Sequence, residues 1–82
     1  MKFKVFRTSE FKKQLAKLPK NIQQEAKKLR DNIKENPFVG DPLGYKFFRE
    51  KRLEGWRLYF LIYEDINVVL FIALSDKKTP AT

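Results

Sequence analysis

The stretch Lys51-Arg52-Leu53-Glu54-Gly55-Trp56-Arg57-Leu58-Tyr59-Phe60 carries the pattern that decides the fold. Strand-forming, apolar-rich runs lie on both sides of Glu54-Gly55, and an acidic residue followed by glycine between two such runs is a hairpin signal. A two-residue loop at those positions sets Leu53 opposite Trp56 and Arg52 opposite Arg57. Like charges facing each other on one side of a sheet weaken the pairing. Packing gives a fold little reason to place two arginines there, whereas a polyanion lying between them supplies one. The alternatives are that both guanidinium groups reach past the sheet edge into water, or that Glu50 neutralises them.

Working outward, residues 45–53 are expected as the first strand of the hairpin and 56–64 as the second. Along the second, Trp56, Leu58, Phe60 and Ile62 share one face, and Arg57, Tyr59, Leu61 and Tyr63 share the other. The Arg57-Tyr59 side is the more polar and is assigned to an open face; a one-residue slip of register would exchange the two sides. The same alternation points Arg49 and Lys51 toward the covered side. A bulge near Glu50, or long stems reaching outward, would carry their charges to the open side.

Downstream, Asp65-Ile66-Asn67 reads as a turn. Residues 68–74 form an apolar strand suited to a central or well-covered position, and 75–82 form a polar tail carrying Lys77 and Lys78. Upstream, Gly40-Asp41-Pro42-Leu43-Gly44 reads as a turn-rich connection, and Asn36-Pro37 stops a helix. That helix carries the apolar stripe Ile22, Ala26, Leu29 and Ile33. A shorter one carries Phe11, Leu15 and Leu18 behind a cap at Thr8 or Ser9. Pro19 ends the first helix and opens the second. At the start, residues 2–7 alternate as a strand with Phe3 and Val5 turned inward. The order is strand, helix, helix and three strands. It predicts a single α+β domain over 1–82: one antiparallel sheet with a helical hairpin packed on one face.

Composition narrows the chemistry. The chain has 82 residues, 43% of them hydrophobic and including eight Phe, three Tyr and one Trp, which suffices for one compact core. It has no Cys and no His, which removes disulfides, thiolate metal sites and every nucleophile that depends on imidazole. The carboxylates are scattered singly apart from Glu64-Asp65, so a metal-dependent nuclease is disfavoured and no cofactor is expected. No apolar run approaches the roughly 20 residues of a membrane span, and no signal-peptide pattern opens the sequence, which predicts a cytoplasmic protein without a membrane partner. Eighteen Lys and Arg against ten Asp and Glu give a net charge of +8, the balance of a domain that binds nucleic acid or acidic surfaces through phosphate contacts.

With these elements in place, the chain resembles the RelE/ParE superfamily of toxins from type II toxin–antitoxin modules. The resemblance runs along nearly the whole chain in the order of elements. It is carried locally by the Leu18-Pro19 helix junction, by Arg52-Leu53-Glu54-Gly55-Trp56-Arg57-Leu58, and by the closing Asp76-Lys77-Lys78-Thr79, which looks like the close of the HigB-like branch. It implies a ribosome-dependent messenger-RNA endonuclease held in check by a cognate antitoxin, monomeric or weakly dimeric when free. In such enzymes the RNA 2′-hydroxyl attacks the adjacent phosphate without a metal. Carried onto this sequence, Arg57 is the principal phosphate clamp with Arg52 beside it, and Lys77 and Lys78 complete the catalytic cluster. Lys46, Arg49, Lys51 and Tyr59 are the further RNA-binding candidates.

The sequence departs from the family pattern in two places. There is no Tyr or His near its end to act as acid or base, and Glu50 stands where many members carry a basic residue; Glu50 is then either a general base or a neutraliser of Arg52. A non-catalytic, ParE-like inhibitor of DNA gyrase is the second function class. A catalytically weak RNA-binding module is the third.

Overall fold

The structure, a computed structural model, describes residues 2–76. Its elements run β1 (Lys4–Arg7), α1 (Ser9–Ala16), α2 (Lys20–Glu35), a 3-10 turn (Pro37–Val39), β2 (Asp41–Tyr45), β3 (Phe48–Leu53), β4 (Trp56–Tyr63), a second 3-10 turn (Glu64–Ile66) and β5 (Val68–Asp76). The five strands form one sheet in the order β1-β5-β4-β3-β2. The predicted α+β order is present, with two additions. The sheet is mixed, because β1 runs parallel to β5 while every other neighbouring pair is antiparallel. It also has a fifth strand, β2, where a connection was expected. Pro42 and Gly44 favour turns, but β2 is an edge strand, and a proline there withholds an N–H that one side of the strand does not need.

The hairpin forms at the expected residues. Glu54 (φ 49°) and Gly55 (φ 87°) both take the left-handed conformation that a two-residue turn matching the twist of its strands requires. The turn fixes Leu53 opposite Trp56 and Arg52 opposite Arg57, and the register continues unbroken to Phe48 opposite Leu61. Leu58, Phe60 and Ile62 are consequently buried under the helices, with Leu58 and Phe60 at 0% exposure. Val69, Phe71 and Leu74 of β5 join them, and α2 contributes Ile22, Ala26, Leu29 and Ile33. Each fully buried side chain of this size contributes roughly 1.5–3 kcal/mol. Phe11 of α1 packs its ring 5.3 Å from that of Phe71.

Helix α1 is capped by Thr8, whose Oγ1 accepts from the Phe11 amide at 3.1 Å. The same hydroxyl donates to the Ile72 carbonyl at 3.1 Å, and the Leu74 amide donates to Gln14 Oε1 at 2.9 Å. These two bonds fall where β5 breaks register. Tyr59 pairs with Ala73 and Phe60 with Phe71, so Ile72 is an extra residue in β5. A bulge of this kind frees backbone groups from the ladder, and here α1 satisfies two of them. Among the described residues no helix is long and apolar enough to cross a membrane.

Gly40 sits where the chain passes over the core edge into β2. A Cβ at this position would lie 2.7 Å from Phe60 Cζ and 2.9 Å from the Glu50 carbonyl oxygen, and the latter is backbone that has little room to yield. Gly40→Ala is therefore expected to lower stability by about 1–3 kcal/mol through overpacking, measured as a fall in the urea midpoint at unchanged slope.

Candidate nucleic-acid interface

Among the described residues, no helix or strand covers the face of the sheet opposite the helices. Because β4 alternates strictly, Arg57, Tyr59, Leu61 and Tyr63 lie on it, and the register adds Arg52, Glu50 and Phe48 from β3. From β5 come Ser75 opposite Arg57, Ala73 opposite Tyr59 and Leu70 opposite Leu61. Two rows therefore cross the sheet near the Glu54-Gly55 turn: Arg52–Arg57–Ser75, and Glu50–Tyr59–Ala73.

Arg52 and Arg57 are directly opposed, and neither lies in an ion pair with a carboxylate among the described residues. Glu50, one pleat away on the same face, is not bonded to either, so the neutralising role open to it from sequence is not seen. Arg57 is half-buried, and its Nε is shielded from solvent without an acceptor among the described residues. A buried donor in that state costs about 1–3 kcal/mol. Two unneutralised guanidinium groups and an orphaned donor on one face are an arrangement that an incoming oxyanion improves and that folding alone does not.

Ser75 escaped the sequence reading. An unbroken β5 would place Leu74 opposite Arg57 on the open face and turn Ser75 inward. The extra residue at Ile72 reverses this, sending Leu74 to the core at 3% exposure and Ser75 to the arginines. Ser75 Oγ lies 3.1 Å from Tyr59 Oη, which fixes the phenol across the β4–β5 boundary. The bonds that support the bulge come from α1, so no local pattern in residues 68–76 announces it.

The remaining candidates are placed elsewhere. Arg49 and Lys51 face Phe60 and Leu58 on the covered side, because β3 and β4 pair without the bulge near Glu50 that would have turned them outward. Arg49 is engaged by backbone: its Nε donates to the Lys46 carbonyl at 2.9 Å, and its Nη1 donates to the carbonyls of Phe38 (3.2 Å) and Gly40 (2.7 Å). Its guanidinium also lies 5.0 Å from the centroid of the Phe38 ring. It staples the 37–40 turn to the sheet. Lys46 lies at the far end of the hairpin from the two arginines, with its Nζ 3.5 Å from Glu64 and 5.5 Å from the Phe38 ring. Lys77 and Lys78 lie outside the described residues. Of the eight candidates, the structure brings Arg52, Arg57 and Tyr59 together, and it adds Ser75 and Glu50. No three Asp or Glu side chains converge in a metal-binding group among the described residues.

The five-stranded mixed sheet with two helices on one face has the fold of solved RelE toxin chains. It superposes on a chain of the archaeal RelE–RelB complex from Pyrococcus horikoshii OT3 with a TM-score of 0.84 at 20% identity, over 98% of this chain and 100% of that one. The toxin–antitoxin complex RelBE2 from Mycobacterium tuberculosis gives 0.82 at 21% identity, over 93% and 99%. A mutant of the Escherichia coli toxin RelE in its free state gives 0.83 at 18% identity, over 95% and 86%. No protein-family model and no curated protein sequence matches this chain.

Two outcomes separate the site from its support. Arg52→Thr removes the like-charge opposition and is expected to leave stability unchanged or raise it by up to about 0.5 kcal/mol in urea unfolding. Arg49→Ala strips three carbonyls of their donor and is expected to cost about 1–2 kcal/mol in the same measurement.

Proposed function

We propose that this chain is the toxin of a type II toxin–antitoxin module, acting in the cytoplasm as a ribosome-dependent endonuclease on messenger RNA. The observation that carries the reading is the opposition of Arg52 and Arg57 on the open sheet face, unneutralised by any carboxylate among the described residues. The shared RelE fold and the net charge of +8 support it.

A phosphodiester laid across the hairpin meets two planar forks whose donors match its two non-bridging oxygens. In the reaction the 2′-oxygen attacks phosphorus and the bond from phosphorus to the 5′-oxygen breaks. The products are a 2′,3′-cyclic phosphate and a free 5′-hydroxyl. Charge accumulates on the non-bridging oxygens on the way, and guanidinium groups already held in place stabilise it without reorganising. Arg57 is the principal clamp and Arg52 the second. Glu50, on the same face, takes the proton from the 2′-hydroxyl. Tyr59, held by Ser75 and paired across from Glu50, returns a proton to the leaving 5′-oxygen. Lys77 and Lys78, outside the described residues, are the further basic candidates for the cluster. A cognate antitoxin is the protein partner, as an antitoxin is in the RelE–RelB and RelBE2 complexes.

The test adds purified protein to a reconstituted translation reaction and maps message ends by primer extension. Cuts confined to ribosome-bound message are expected. Arg57→Ala should reduce their rate by about 10²-fold or more and abolish toxicity in growing cells, with unchanged far-UV circular dichroism. Intact message together with impaired DNA supercoiling would transfer the protein to a ParE-like, non-catalytic class. Retained cleavage in Arg57→Ala would remove the arginine pair from the site.

A further inference from the structure

Strand β5 outruns its parallel neighbour. Pairing with β1 covers Val68 to Phe71 and ends with the Thr8 amide on the Phe71 carbonyl at 3.0 Å, yet β5 continues to Asp76. Two side chains take over where β1 gives way to α1. Thr8 Oγ1 donates to the Ile72 carbonyl at 3.1 Å, and Gln14 Oε1 accepts from the Leu74 amide at 2.9 Å. These bonds bracket the extra residue of the strand. The sequence of β5 does not choose its register alone, because Leu70, Phe71, Ile72, Ala73 and Leu74 are all apolar and either alternation buries apolar side chains. In the register adopted, Phe71 and Leu74 are both buried and Ser75 stands opposite Arg57. An unbulged strand would set Leu74 opposite Arg57, turn Ser75 inward and take from Tyr59 Oη the partner it has at 3.1 Å.

We propose that Gln14 of α1 is a positioning residue for Tyr59 on the far side of the sheet. The path is short and continuous. Gln14 holds the Leu74 amide, Leu74 seated in the core fixes the side on which Ser75 emerges, and Ser75 holds the phenol. Gln14 belongs to the helical layer opposite the arginines, so it reaches the site only through β5. The role sets a chemical requirement at position 14: an acceptor oxygen serves, and an aliphatic side chain of equal size leaves the Leu74 N–H without a partner. The proposal rests on the nuclease reading for the proton that Tyr59 returns to the leaving 5′-oxygen, and on geometry alone for where the ring is held. It makes the cleavage rate answer to a helix that meets neither the message nor the reacting atoms.

The test uses the purified full chain in the cleavage assay on ribosome-bound message. Gln14→Leu deletes the acceptor and keeps the bulk; the maximal rate is expected to fall about tenfold at an unchanged half-saturating concentration of message-bearing ribosomes. Gln14→Glu restores an acceptor oxygen and should recover the rate to within about threefold. In a Tyr59→Phe background, Gln14→Leu should cost less than about twofold more, because the hydroxyl it places is already gone. A readout free of the reaction is the ring NMR spectrum of protein carrying isotope-labelled tyrosine. Gln14→Leu should shift or broaden the Tyr59 signals and leave those of Tyr45 and Tyr63 in place, while the Leu74 amide exchanges at least about tenfold faster. Thermal melts check folding, and Gln14→Ala, which removes the same acceptor without loss of helix propensity, replaces a leucine variant that fails to fold. If the unsubstituted protein leaves message uncut, the nuclease reading fails and the ring signals alone decide the placement. Unmoved Tyr59 signals, fully additive losses with Tyr59→Phe, or a loss confined to half-saturation would each overturn the proposal.

Discussion

The conformation of two residues, Glu54 and Gly55, determines which side of β3 and β4 meets the helices. Because both hold positive φ, the loop is two residues long and the pairing register follows without freedom to slip. That register sends Leu58 and Phe60 inward to 0% exposure, and by the same alternation it sends Arg52 and Arg57 outward, opposite one another. The core and the candidate site are thus two readings of one constraint. A loop longer or shorter by one residue would invert one strand relative to the other, carrying its arginine toward the core and its apolar residues toward water, so the apolar half of the pattern holds the charged half in place.

The open face bears the marks of a surface not arranged for stability. Opposed guanidinium groups repel, and Arg57 Nε has no acceptor among the described residues. Contrast Arg49, a residue of the same type three positions from Arg52, whose Nε and Nη1 both donate to backbone carbonyls and whose guanidinium lies near the Phe38 ring. One arginine closes a turn, and the other two face each other without a carboxylate partner among the described residues. The difference lies in what surrounds each side chain, and net charge alone does not register it.

Much of this was legible in the sequence, and the parts that were not share a cause. The hairpin, the two helical stripes and the facing arginines are properties of neighbouring residues, and they followed from period and turn chemistry. Strand β2 was hidden because Pro42 and Gly44 favour turns locally, and only the presence of β3 alongside makes 41–45 extended. The placement of Arg49 depends on carbonyls of Phe38 and Gly40 that alternation along β3 does not register. Ser75 reaches Arg57 only through a bulge held by Thr8 and Gln14, residues of another element altogether. Each miss is a case of distant backbone deciding a local outcome.

The parallel pairing of β1 with β5 has a temporal consequence. Lys4 through Arg7 find their neighbours in Val68 through Phe71, and the Thr8 hydroxyl finds the Ile72 carbonyl 64 residues later. During synthesis β1 therefore has no strand to zip against until β5 has left the polypeptide exit. Such non-local closure is slow compared with helix formation. Until then the sheet has no finished hydrophobic side, and the open face has no rigid support. The opposed arginines of the candidate site thereby gain their full sheet support only once β5 has joined both β4 and β1.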